Sequence, residues 1–136
     1  MNRNVLVLVD DPFWRTKIEQ ALKSAQASAL FVTNPEDLAK AAESDAVQLV
    51  VVDLSLKREP FTAITALKAG AKSKRIPVIG YYEQVRKDIK AKAEAAGCDR
   101  VLSRPSFSEK LADMVMEFAL PGAVRTESDE RELPEE

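Results

Sequence analysis

Three aspartates carry the chemistry this chain could perform. Asp10 and Asp11 follow the apolar run Val5-Leu6-Val7-Leu8-Val9, and Asp53 follows Leu49-Val50-Val51-Val52. Each run has the continuous apolar character of a strand covered on both faces, so the acids stand where two strands end. Carboxylates that share a crevice repel one another, and a bound hard cation relieves the repulsion. Mg²⁺ suits such a set, because it takes oxygen ligands, keeps several waters and brings phosphate oxygens with it. Every one of these acids also has a purely structural reading. Asp11 before Pro12 is a helix N-cap followed by proline at the first helical position, and an acid where strand gives way to loop is commonplace. Convergence of the three at one place is what favours a site.

Convergence depends on the intervening elements. After Pro12 the period changes, and Phe13/Trp14, Ile18, Ala21/Leu22 and Ala25 fall on one helical face. Ala29 to Val32 reads as a second strand. Asn34-Pro35-Glu36-Asp37 then supplies a cap, a proline and two acids for a second helix, with Leu38 and Ala41/Ala42 inward. A third helix carries Phe61, Ile64 and Leu67 and closes at Gly70 as its C′ residue. The fourth strand is expected over 76–81, with Pro77 at its start, where a missing N–H is tolerated. Val85, Ile89, Ala93 and Ala96 stripe a helix that stops at Gly97. A brief strand at 100–102 precedes a last helix, expected to open at Ser106 with Glu109 as its capping-box partner and to turn Leu111, Val115 and Phe118 inward.

Five β–α units in strict alternation demand an α/β fold: one parallel, doubly wound sheet with helices on both faces. The common strand order for five units is 2-1-3-4-5, a flavodoxin-like arrangement whose crevice lies at the ends of strands one and three. Those are the strands that end in Asp10-Asp11 and Asp53.

Composition narrows the functions. The 136 residues point to one domain, and 46% hydrophobic with 31% charged residues suffices for a core. The net charge of −2 argues against a generic polyanion binder, so no nucleic acid is expected as partner. Histidine is absent, which removes imidazole catalysis, histidine-bound zinc and a phosphohistidine carrier. Four scattered glycines rule out a glycine-rich phosphate loop. The lone Cys98 packs as a small hydrophobe and fits a reducing cytosol. The first apolar run is too short for a signal sequence or a membrane span, so a cytoplasmic protein is expected, with no membrane partner. Residues 121–136 hold six acids against two arginines, net −4, which leaves +2 on residues 1–120. The chain therefore reads as a domain over 1–120 followed by a disordered acidic tail over 121–136.

With these residues in hand, the chain resembles the receiver domains of two-component response regulators, the CheY-like fold. The likeness covers about residues 4–120. It rests on the acidic pair in VLVLVDD, the aspartate in LVVVDLSL, the IPVI strand, and AGCDRVLSRPSF, which is similar to the family's AGADDYLTKPF. The resemblance implies that Asp53 is the phosphoacceptor, supplied by a histidine kinase, a phosphotransfer protein or a small acyl phosphate. It further implies Mg²⁺ bound directly by Asp11, by Asp10 mainly through water, by Asp53 and by the backbone carbonyl of Ser55. The missing histidine agrees with this, since the family borrows its histidine from the donor.

Three positions depart from the family. Its short hydroxyl at the end of strand four falls on Tyr82, whose phenol overshoots unless it turns outward. Its lysine after strand five is Arg104, which can hold phosphate bidentately but differs in reach. Its aromatic switch in strand five is Val101. The Pro and Gly usual four and eight residues beyond the acceptor are Lys57 and Phe61, whereas Arg104-Pro105 keeps the proline, often in a cis bond in the family.

The expectation is a divergent single-domain response regulator, not an enzyme in its own right, that signals to a downstream protein target. A homodimer through helix 4–strand 5–helix 5 is possible by the family's habit. The alternatives are a pseudo-receiver that serves as a phosphorylation-independent interaction or dimerisation module, and a small enzyme or nucleotide binder on a flavodoxin-like scaffold. Tyr81 or Tyr82 could supply a replacement aromatic.

Overall fold

The apolar runs become strands where their periodicity places them. The computed structural model describes residues 4–44, 47–83 and 87–119. In chain order it contains β1 (Asn4–Leu8), α1 (Pro12–Ser24), β2 (Ser28–Val32), α2 (Glu36–Ser44), β3 (Leu49–Asp53) and α3 (Phe61–Ala69). A 3-10 turn (Ser73–Arg75), β4 (Val78–Tyr82), α4 (Lys87–Ala96), β5 (Arg100–Ser103) and α5 (Arg104–Ala119) follow. All strand pairs are parallel, and the order is β2-β1-β3-β4-β5, as expected. β3 and β4 are buried along their whole length, while the edge strands β2 and β5 are only partly covered.

Side-chain alternation divides the core into two layers. Val5, Val7, Val9, Val51, Ile79 and Tyr81 pack with Trp14, Ile18 and Leu22 of α1 and with Phe107, Leu111, Met114 and Val115 of α5. Leu6, Leu8, Val50, Val52, Val78 and Tyr82 form the other layer with Leu38 of α2, Ile64 and Leu67 of α3 and Ala93 of α4. Each fully buried side chain of this size contributes about 1.5–3 kcal/mol, so the two layers dominate the stability of the sheet between them. Cys98 joins the second layer as a partly buried residue, and burial pushes its thiol up to about 12. Among the described residues, no helix is long and apolar enough to cross a membrane.

Local chemistry accounts for the boundaries. Asp11 caps α1 by accepting a hydrogen bond from the Phe13 N–H at 2.9 Å, with Pro12 at the start of the helix. Gly97 ends α4 at φ +118, a conformation that glycine alone adopts without strain.

Several expectations change in the structure. α5 opens at Arg104 rather than Ser106, because Pro105 sits in its first turn, where proline's missing N–H is no loss. No cis peptide bond occurs among the described residues, so Arg104–Pro105 is trans. β4 reaches Tyr82. Phe13 does not share the buried face of α1: it is 64% exposed, while Trp14 is buried. Gly70 is extended rather than left-handed; a Cβ there would overlap Glu43 Oε2 and Ser73 Oγ. That close approach lets Glu43 accept hydrogen bonds from the Lys72 and Ser73 N–H groups and the Ser73 hydroxyl, holding the unforeseen 3-10 turn against α2. Val85, the side chain of Phe118 and the tail over 121–136 lie outside the described residues.

Candidate functional site

The site is built at the carboxyl ends of β1, β3 and β4. Asp53 closes β3, paired in register with Tyr81 of β4. It is 3% exposed, so its carboxylate is held by the fold rather than by water. Its Oδ1 accepts from the Ser55 N–H at 2.9 Å. Its Oδ2 lies 3.8 Å from Arg104 Nη2. Burial pushes the Asp53 carboxyl above the usual aspartate range; the Ser55 N–H and Arg104 oppose that, while the charges of Asp10 and Asp11 reinforce it.

Arg104 gathers the acids. The Nη2 that faces Asp53 is also 3.9 Å from Asp11 Oδ2, and Nη1 is 3.8 Å from Glu83 Oε2. The guanidinium is laid over Trp14, 4.9 Å from the ring centroid, with Tyr81's ring 6.0 Å away. Placing Arg104 as the first residue of α5 fixes this reach, since the helix starts at the same sheet edge where β1 and β3 end. Ser55 ties the loop after β3 to the end of β4: its hydroxyl accepts from the Glu83 N–H at 3.0 Å.

All three acids act at this edge, since the charges of both Asp10 and Asp11 reach Asp53, but they are placed differently. Asp11 and Asp53 face a common cation, while Asp10 is exposed. Among the described residues, no three acidic or thiol side chains stand together as a cage for one ion. The donor chemistry still suits Mg²⁺. Asp11 and Asp53 each have one oxygen fixed by a backbone N–H and the other aimed at positive charge. Two carboxylates with retained waters are what Mg²⁺ ordinarily takes from a protein. Asp10 and the Ser55 carbonyl border the same edge of the sheet.

Tyr82 does not turn outward to solvent. It is 8% exposed and packs in the α2–α3–α4 layer, in the same cluster as Leu54 and the partly buried Val101. Its neighbour Tyr81 occupies the opposite layer. That ring stacks on Phe107 at 4.3 Å and 17°, and it lies 5.6 Å from Trp14. Sequence reading named Tyr81 only as a spare aromatic; the pleat of β4, with Ile79 and Tyr81 on one face, was the available signal that it belongs to the α1–α5 side. Glu83 was missed altogether, and nothing in its local sequence marks it.

No family model matches this sequence, and no curated protein does. Solved structures do resemble it. The receiver domain of a sensor histidine kinase from Pseudomonas aeruginosa, with a magnesium ion in its active-site cleft, superposes with TM-score 0.78 at 19% identity, covering 88% of this chain and 98% of that one. A response regulator from Hahella chejuensis gives TM-score 0.78 at 18% identity over 90% and 98% of the two chains. The phosphorylated cyanobacterial phytochrome response regulator RcpA gives 0.73 at 17% identity over 91% and 98%. The chain therefore has the fold of a response-regulator receiver domain.

Proposed function

We propose that this chain is a receiver-type signalling domain in which Asp53 accepts a phosphoryl group. The observation that carries the reading is the Asp53 carboxylate itself, buried at a strand end, with one oxygen held by the Ser55 N–H and the other facing Arg104. In the reaction an Asp53 oxygen attacks phosphorus, a P–O bond forms, and the bond to the donor's leaving group breaks. With acetyl phosphate the leaving group departs as acetate, so charge balances and no proton need move. Asp53 must react as the carboxylate, and Arg104 favours that form against the cost of burial. As the phosphoryl group arrives, the Arg104 guanidinium is placed to exchange carboxylate partners for phosphoryl oxygens.

Asp11, Asp53, Asp10 and the Ser55 carbonyl would hold Mg²⁺. When bound, the metal supplies positive charge to the phosphoryl oxygens. The chain has no histidine, so a histidine kinase or phosphotransfer protein would supply the phosphoryl group. A downstream protein would read the result. The magnesium-bound and phosphorylated neighbours support this reading by fold alone.

Intact-mass spectrometry after incubation with Mg²⁺ and acetyl phosphate tests it. One phosphoryl increment on the wild type and none on Asp53→Asn is the expected result. An unmodified wild type would sink the phosphoacceptor role and return the chain to a phosphorylation-independent interaction module.

A further inference from the structure

We propose that Tyr81, rather than Tyr82, supplies the hydroxyl that meets the phosphoryl group on Asp53, donating from Oη beside Arg104. The inference rests on the reading of Asp53 as phosphoacceptor and adds a residue to that site.

Geometry and an unmet hydrogen bond carry it. Tyr81 is paired in register with Asp53, and its backbone carbonyl accepts from the Leu54 N–H, so the two strand ends are locked side by side. The ring is fully buried and stacked on Phe107, which leaves it no route outward. Among the described residues, its hydroxyl nevertheless has no hydrogen-bond partner, and neither does Arg104 Nε. Buried polar groups are almost always paired, and an exception calls for an explanation. Nε is a donor that cannot accept, and a phenol beside carboxylates serves as a donor as well. What both lack is an acceptor. The Arg104 guanidinium that faces Asp53 and Asp11 lies 6.0 Å from the Tyr81 ring centroid, so the ring stands at the acidic crevice. A phosphoryl group on Asp53 brings acceptor oxygens to a crevice flanked by two spare donors. Tyr82 is on the wrong face of β4 for this, in the layer with Leu54 and Ala93.

Tyr81→Phe removes the hydroxyl and keeps the Phe107 stack, and Tyr82→Phe is its matched control. The rate of phosphoryl gain from acetyl phosphate with Mg²⁺, followed by intact mass, is expected to fall about tenfold or more in Tyr81→Phe and to stay near wild type in Tyr82→Phe. The loss stops short of the full effect of an oxyanion donor because Arg104 remains. The ³¹P resonance of the phospho-aspartate should move in Tyr81→Phe only. Wild-type protein labelled at tyrosine Cζ gives a readout that needs no variant of Tyr81: of the two tyrosine resonances, assigned by the one missing from Tyr82→Phe, that of Tyr81 shifts on phosphorylation. If the wild type is phosphorylated but Tyr81→Phe matches it in rate and the Tyr81 resonance stays put, Tyr81 has no such role and Asp53 stands as acceptor alone. A wild type that gains nothing overturns the acceptor reading, and the Tyr81 assignment with it.

Discussion

Arg104 is the residue on which the candidate site turns. A lysine would place one compact charge there; the guanidinium instead reaches three carboxylates with two nitrogens while its face lies on Trp14. Arg104→Lys should therefore keep charge and lose the stacked, forked geometry. The expected outcome is slower phosphoryl gain on Asp53 with little change in fold, checked by intact-mass kinetics alongside far-UV circular dichroism. The types and order of Asp10, Asp11, Asp53 and Arg104 were legible in the sequence. Glu83 and the partition of the two tyrosines were not, because contacts across a crevice depend on side-chain direction and on which loops meet there.

At the scale of elements, two small features hold helices to the sheet's lower edge. Glu43 accepts three hydrogen bonds at the start of the 3-10 turn, and these hold its carboxyl below the usual range, the Ser73 N–H foremost. A depressed carboxyl contributes stability above its unfolded value and loses it as pH falls through the folded one. Glu43→Gln should lower the melting temperature at pH 7, and the gap should close as pH falls below about 4.5, the ordinary glutamate value. Thermal melts of both proteins from pH 7 to pH 3 check the sign. At the end of α4, Gly97→Ala forces φ +118 on a residue with a Cβ, which would also meet Lys68 Cγ at 2.7 Å. A loss of about 1–3 kcal/mol is expected from urea unfolding. The five helices and five strands were readable from apolar period and caps; the 3-10 turn was not, because its support comes from Glu43, 30 residues away from Ser73 in sequence.

As a whole molecule, the protein is one sheet with two apolar layers. Tyr81 and Tyr82, adjacent in sequence, are buried on its opposite sides. Neither layer can persist without the strands they share, so unfolding should be a single cooperative transition. Trp14 reports from the α1–α5 layer and far-UV circular dichroism from all the helices. Their denaturation curves are expected to coincide. Leu38→Ala, a change in the other layer, should destabilise by about 2–5 kcal/mol and shift both curves together. Separate shifts would show two independently melting halves.

The sequence alone determined the succession of strands and helices and the parallel sheet they require, because apolar period, proline and glycine placement and strict β–α alternation are local signals; the order 2-1-3-4-5, expected as the common one, is what the structure shows. It also determined which acids end β1 and β3. Only the tertiary structure decided that Asp11 and Asp53 face a shared cation while Asp10 is exposed, and that Tyr81 packs in the α1–α5 layer while Tyr82 packs in the other. Those outcomes rest on the pleat of β4, the first residue of α5 and the stacking of Trp14, Tyr81 and Phe107, relations between segments far apart in the chain.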